Sequence, residues 1–216
     1  MRKIDIETWP RRAQYELASR LAFPFYHVAF PVDVTPLRAW CRAHGEPFYF
    51  ALVYLAVETM NGIENFRYRI RNGEVWLIDR AHPSFTTLGE GDLFRITSCR
   101  LGDEVADFCR RARELSGRQT DFINAIDFPA DELVYVSCLP WMEVTAVSNE
   151  RDDDPDDSIP RISWGRFVER EGRLSLNMTL EVNHRLIDGV HIGRFANRLQ
   201  QRMDALGEAA ERGGGR

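Results

Sequence analysis

The run Asn183-His184-Arg185-Leu186-Ile187-Asp188-Gly189-Val190-His191 gathers two imidazoles, a carboxylate and a glycine into one short segment. Histidine titrates nearest neutrality, so a positioned neutral His184 can take a proton with little driving-force penalty, and Asp188 could hold its geometry. On an unbroken helix the i, i+4, i+7 spacing of His184, Asp188 and His191 would instead gather a metal triad. Leu180-Glu181-Val182-Asn183 reads as the end of a strand, however, and Asp188-Gly189 as a turn into a helix. That backbone puts His184 before the helix and His191 inside it, so no metal is expected and His191 reads as a packing residue. For His184 a structural role at a sheet edge is the alternative. A strand end followed by a carboxylate and a tight turn is where catalytic bases are commonly mounted, which favours the base.

The rest of the chain sets limits. At 216 residues it is long enough for one large domain, and no linker divides it. A formal charge of −5 offers no footprint for nucleic acid. No apolar run approaches a membrane span, and Met1-Arg2-Lys3-Ile4-Asp5 carries charges where a secretory signal would place its apolar stretch. A cytoplasmic location is expected. Cys41, Cys99, Cys109 and Cys138 are widely spaced and lack metal-site pairing, so they are read as reduced, buried packing residues.

Helical spacing begins near Trp9-Pro10, with Tyr15, Leu17, Ala18 and Leu21 as its apolar face; Tyr26 to Val34 alternates like a strand. Pro36 opens a helix to about Ala43 and Pro47 a longer, buried one. Phe66–Ile70 and Glu74–Ile78 flank Asn72-Gly73, a hairpin signal. Ser84–Leu88 and Leu93–Cys99 read as strands, Gly102–Leu115 as a helix. Leu133–Val147 and Arg161–Val182 read as strands of a large sheet, with Leu174, Leu176, Met178 and Leu180 facing one way. Between them the acid run Asp152-Asp153-Asp154-Pro155-Asp156-Asp157 reads as a solvated loop rather than a calcium site. A last helix with Ile192, Phe195, Leu199 and Met203 on one face runs to about Leu206. The order implies an α+β fold, a mixed β-sheet covered by helices. Residues 1–207 form the expected domain and 208–216 a disordered tail ending in Gly213-Gly214-Gly215-Arg216.

The segment His184-x-x-x-Asp188-Gly189-x-His191 resembles the C-terminal signature of the chloramphenicol acetyltransferase family, and Ile187-Asp188-Gly189-Val190 also resembles dihydrolipoamide acyltransferase cores. Trp9-Pro10-Arg11-Arg12, Phe48-Tyr49 and Ser137-Cys138-Leu139-Pro140-Trp141 resemble further blocks of the same family at family-like spacing. The resemblance implies a single-domain chloramphenicol acetyltransferase-like sandwich that moves an acetyl group from acetyl-CoA directly to the hydroxyl of chloramphenicol or a related small molecule in a ternary complex, with antibiotic resistance as the outcome. It implies His184 as the general base, Ser137 as oxyanion donor, Ser163 assisting through a bound water, and Asp188 paired with Arg11 to fix the turn. Tyr49, Trp141 and Arg166 fall where the family contacts coenzyme A. A homotrimer with active sites between subunits is implied as well. Asn183 replaces the first histidine of the family's usual pair, Ala18 stands where a tyrosine often touches the antibiotic, and Tyr26-His27 adds bulk and polarity to the strand lining that pocket. Two alternatives stand beside this one, a lipoyl-type thiol as acceptor and a non-catalytic trimeric binding protein of the same fold.

Overall fold

The computed structural model describes residues 1–213. In chain order it contains β1 (Arg2–Lys3), α1 (Arg12–Ala18), β2 (Phe25–Asp33), α2 (Thr35–His44), α3 (Phe48–Asn61), β3 (Tyr68–Arg71), β4 (Glu74–Leu77) and β5 (His82–Leu88). It continues through β6 (Phe94–Ser98), α4 (Val105–Arg118), β7 (Leu133–Leu139), β8 (Arg161–Gly165), β9 (Val168–Arg170), β10 (Arg173–Asn183) and α5 (Gly189–Gly213). Among the described residues a seven-stranded sheet runs β2-β10-β8-β7-β5-β6 with β9 beside β10, and a three-stranded sheet runs β1-β4-β3. The pairs β5/β7 and β7/β8 are parallel and the other pairs antiparallel, which is the mixed sheet expected.

Patterning explains the layers. In α3 every residue from Ala51 to Val57 is buried, because this helix is apolar all round and packs against α2, α4, α5 and β5. The stripe Ile192, Phe195, Leu199 and Met203 of α5 is buried, and Phe195 meets Phe30 and Phe66 at ring-centroid distances of 6.3 and 5.7 Å. Each such aromatic contributes about 1.5–3 kcal/mol by leaving water. The Asn72-Gly73 turn has φ of 53° and 75° at its two central residues, the left-handed pair that a two-residue hairpin requires.

Strand β10 has two chemically opposite faces. Leu176, Met178, Leu180 and Val182 are buried in the core. The alternate residues grip the long connection between β7 and β8 with their side chains. Asn177 Nδ2 donates to Val144 O at 3.0 Å, Thr179 Oγ1 accepts from Val147 N at 3.1 Å, Glu181 Oε1 accepts from Asn149 N at 2.9 Å, and Asn183 Nδ2 donates to Asp157 O at 2.9 Å.

Several expectations shift. The strand expected over 133–147 stops at Leu139, since Pro140 has no N–H for the ladder and the β-branched residues beyond it are held by β10 side chains rather than by pairing. The acid run is only partly solvated: Asp157 is mostly buried and accepts from Arg151 and Arg161 at 2.7 and 2.9 Å. Leu17 and Leu21, expected on the inner face of the first helix, are 68% and 55% exposed, because the short α1 rests on Ala18. Helix α5 continues past the boundary expected at 207 to Gly213, so 208–213 are helical; residues 214–216 lie outside the described part.

Arg69 anchors β7 to the small sheet. It is fully buried and donates to Asp131 O, Phe66 O, Tyr68 O and Leu133 O at 2.5, 2.9, 2.8 and 2.8 Å, although burial pulls its pKa down to about 10. Substituting Arg69→Met keeps apolar bulk but orphans these carbonyls. Urea unfolding should show a loss of roughly 3 kcal/mol or more, and a loss below about 1 kcal/mol would remove Arg69 from the anchoring role.

Candidate active site

His184 stands one residue beyond the end of β10, its backbone N–H donating to Pro24 O at 2.7 Å. Its Nδ1 lies 3.1 Å from Ile187 O and 3.3 Å from Asp188 Oδ1. Both neighbours are acceptors, which assigns the proton to Nδ1 and leaves the lone pair on Nε2. The imidazole packs against the Tyr26 ring with centroids 4.4 Å apart, and its side chain remains 48% exposed.

The turn beneath it is clamped by one guanidinium. Arg11 makes a two-pronged ion pair with both Asp188 oxygens, donates Nε to Arg185 O at 2.9 Å and donates Nη2 to His184 O at 3.0 Å. The Arg11 hydrogen bonds hold the Asp188 carboxyl below its ordinary pKa. His191 Nδ1 accepts the Asp188 backbone N–H at 2.9 Å and the ring is buried, which lowers its pKa. His191 therefore braces the start of α5, as its position in the sequence suggested. Asn183 is locked as well, its Oδ1 accepting from Arg185 N and Nε at 3.0 and 3.1 Å. Gly189 opens α5 without a positive φ. Among the described residues no group of three or more His, Cys, Asp or Glu side chains is arranged to hold a metal ion. No helix among them is long and apolar enough to cross a membrane.

A second locus is a cleft of about 1180 Å³ that Tyr49, Ser137, Trp141, Ser163 and Arg166 all line. Ser137 pairs with Ser163 across β7/β8, and Ser163 with Thr179 across β8/β10, giving a row of hydroxyls on the sheet face opposite the core. Trp141 is 63% exposed at the rim, and Arg166 is exposed with its N–H donating to Met142 O at 2.8 Å. Gly165 permits this approach, since a Cβ there would stand 2.7 Å from Met142 O. The Tyr49 hydroxyl is spent on Thr86 O at 2.8 Å, and burial drives its pKa far up, so only its ring is available to a ligand. Burial also pushes the neighbouring Cys138 thiol up to about 12, which leaves it a packing group rather than a nucleophile.

One chain does not unite these loci. His184 is five residues beyond Thr179, itself two strands from Ser137, which by strand spacing sets their Cα atoms roughly 19 Å apart. Two contributors were missed in the sequence. Asn149 lines the cleft and donates Nδ2 to Ser163 Oγ at 3.0 Å, and the buried Glu181 holds Asn149. The signal was present in the polar alternation Asn177, Thr179, Glu181, Asn183, which required something polar to cover that face.

Residues 1–200 match the family model described as chloramphenicol acetyltransferase. The chain belongs to this family. It is 30% identical over 204 residues to a chloramphenicol acetyltransferase of Streptomyces acrimycini, covering 91% of each chain, and 26% identical to chloramphenicol acetyltransferase 2 of Escherichia coli, covering 94% of this chain and 97% of that one. A solved chloramphenicol acetyltransferase superposes with a TM-score of 0.84 at 22% identity, over 93% of this chain and 99% of that one. The Azotobacter vinelandii dihydrolipoamide acetyltransferase, in which a serine, a histidine and an asparagine were studied for their role in the catalytic mechanism, superposes at 0.65 and 18% identity over 90% and 88%. Chloramphenicol acetyltransferases catalyse acetyl transfer, and this chain is an acetyltransferase of that family.

The Arg11 clamp carries a pH signature. A carboxyl with a depressed folded pKa stabilises the fold above its unfolded pKa near 4 and loses that contribution as pH falls through the lower folded value. Asp188→Asn should therefore lower the melting temperature at pH 7 and flatten the stability slope below pH 4. An unchanged slope in acid-titrated calorimetry would remove the clamp from the stability balance.

Proposed function

We propose that the chain transfers the acetyl group of acetyl-CoA directly to a hydroxyl of chloramphenicol or a related small molecule, and that in cells it acts in the cytoplasm as an antibiotic-resistance enzyme. The observation that carries this reading is the His184 imidazole, its Nδ1 tied to Ile187 O at 3.1 Å and its Nε2 unencumbered. That is the tautomer a general base must adopt. A hydroxyl acceptor is preferred to a lipoyl thiol because the chain shares 30% identity with an enzyme named for chloramphenicol.

In this reading the neutral Nε2 of His184 removes the acceptor's hydroxyl proton as the oxygen attacks the thioester carbonyl. The tetrahedral oxyanion accepts the Ser137 hydroxyl proton in a hydrogen bond that strengthens as charge develops. Collapse breaks the carbon–sulfur bond, and the imidazolium returns its proton to the departing thiolate. Ser163 supplies a second hydroxyl beside Ser137 and assists through a bound water. Tyr49, Trp141 and Arg166 line the cleft that would hold acetyl-CoA, the aromatic rings as apolar surface and the arginine as a cation for its phosphates. Asp188 and Arg11 hold the turn and take no proton.

Because the Cα atoms of His184 and Ser137 stand roughly 19 Å apart in one chain, the working site is completed by a second copy. We assign a cyclic homotrimer in which His184 of one subunit faces the Ser137 cleft of the next.

Incubation with acetyl-CoA should release free thiol only when a hydroxyl acceptor such as chloramphenicol is present. His184→Ala should lower kcat by about 10²–10⁴, and Ser137→Ala by about 10²–10³. Retention of the wild-type rate by His184→Ala would sink the proposed base. Light scattering should give three times the 25.0 kDa chain mass. Coexpression of His184→Ala with Ser137→Ala chains should restore activity, since random mixing leaves roughly a quarter of shared sites with both groups intact. No recovery would place both groups in one chain.

A further inference from the structure

Asn149 sits where the long connection between β7 and β8 crosses the hydroxyl row. Its Nδ2 donates to Ser163 Oγ at 3.0 Å and also to Glu181 Oε1, while its backbone N–H donates to the same Oε1 at 2.9 Å. Glu181 Oε1 already accepts that backbone N–H, so the amide group facing the same oxygen is the donor nitrogen, which fixes the amide's orientation. Glu181 is only 5% exposed and projects from the central strand β10, which makes it a rigid mount. Ser163 Oγ thereby has a lone pair occupied by a donor. The remaining acceptor for its own proton among the described residues, Asn149 Oδ1, is 3.5 Å away, at the edge of hydrogen-bond range.

We propose that Asn149, held by Glu181, is a positioning residue that turns the Ser163 hydroxyl so that it donates its proton into the cleft. This rests on the acyl-transfer reading, in which a donor beside Ser137 faces the developing oxyanion or the water bound to it. Without Asn149 the same hydroxyl rotates freely, and its proton points into the cleft only part of the time. Asn149 acts through Ser163, so its contribution must vanish when Ser163 is gone.

The test is a double-mutant cycle with Asn149→Leu and Asn149→Ala, each made in the unaltered chain and in Ser163→Ala, with melting temperatures recorded for all. With Ser163 present kcat should fall roughly tenfold, the effect of one net hydrogen bond, while KM for acetyl-CoA stays within about twofold. In the Ser163→Ala background either substitution should change kcat by less than about twofold. Neutron crystal structures supply a readout independent of turnover: the Ser163 hydroxyl deuterium should hold one rotamer in the unaltered chain and several in Asn149→Leu. An equal fall in both backgrounds, or a Ser163 rotamer indifferent to Asn149, overturns the proposal. If the unaltered chain acetylates no acceptor, the acyl-transfer reading falls alone, and the Ser163 rotamer then decides for or against the positioning role.

Discussion

The alternation of β10 is the constraint on which the molecule rests. A strand sends successive side chains to opposite faces, so one eleven-residue segment must satisfy both oil and water. Leu176, Met178, Leu180 and Val182 take the core side and seat the helices. Asn177, Thr179, Glu181 and Asn183 take the other and catch the backbone of a connection that has no ladder of its own. A register slip of one residue would exchange the faces, setting two amides and a carboxylate against the apolar core and releasing that connection. The same strand ends one residue before His184, so core packing, the grip on the connection and the placement of that imidazole share one register.

Much of this was legible in residue types. The apolar stripe of α5, the buried α3 and the Asn72-Gly73 hairpin follow from periodicity and turn chemistry, and the structure agrees within a few residues. The separation of His184 from His191 followed from reading a strand end and a helix start in the right places. Strand length beyond Leu139 was not legible, because β-branched residues promise a pleated surface without saying whether a backbone or a row of side chains will meet it. The exposure of Leu17 and Leu21 was also hidden, since helical periodicity reports an apolar face and not what covers it.

At the candidate site, legibility divides by distance along the chain. Residues within one motif, His184 with Asp188, were readable as a unit. The Arg11–Asp188 pair was readable only through family resemblance, and Asn149 with Glu181 through neither route. Charge and hydrogen-bond complementarity between distant segments leaves no local pattern, so it emerges only when the fold brings the partners together.

Arg11 and Asp188 are 177 positions apart, so the guanidinium clamp on the turn beneath His184 joins segments distant in the chain. A nascent polypeptide cannot form that contact until Asp188 has left the ribosome, and closing so long a loop costs entropy that nearby contacts do not. The turn that bears His184 is thus among the last parts to be set. The clamp works as a completeness check: a chain cut short before Asp188 would leave Arg11 without its carboxylate and the turn that bears His184 without its clamp.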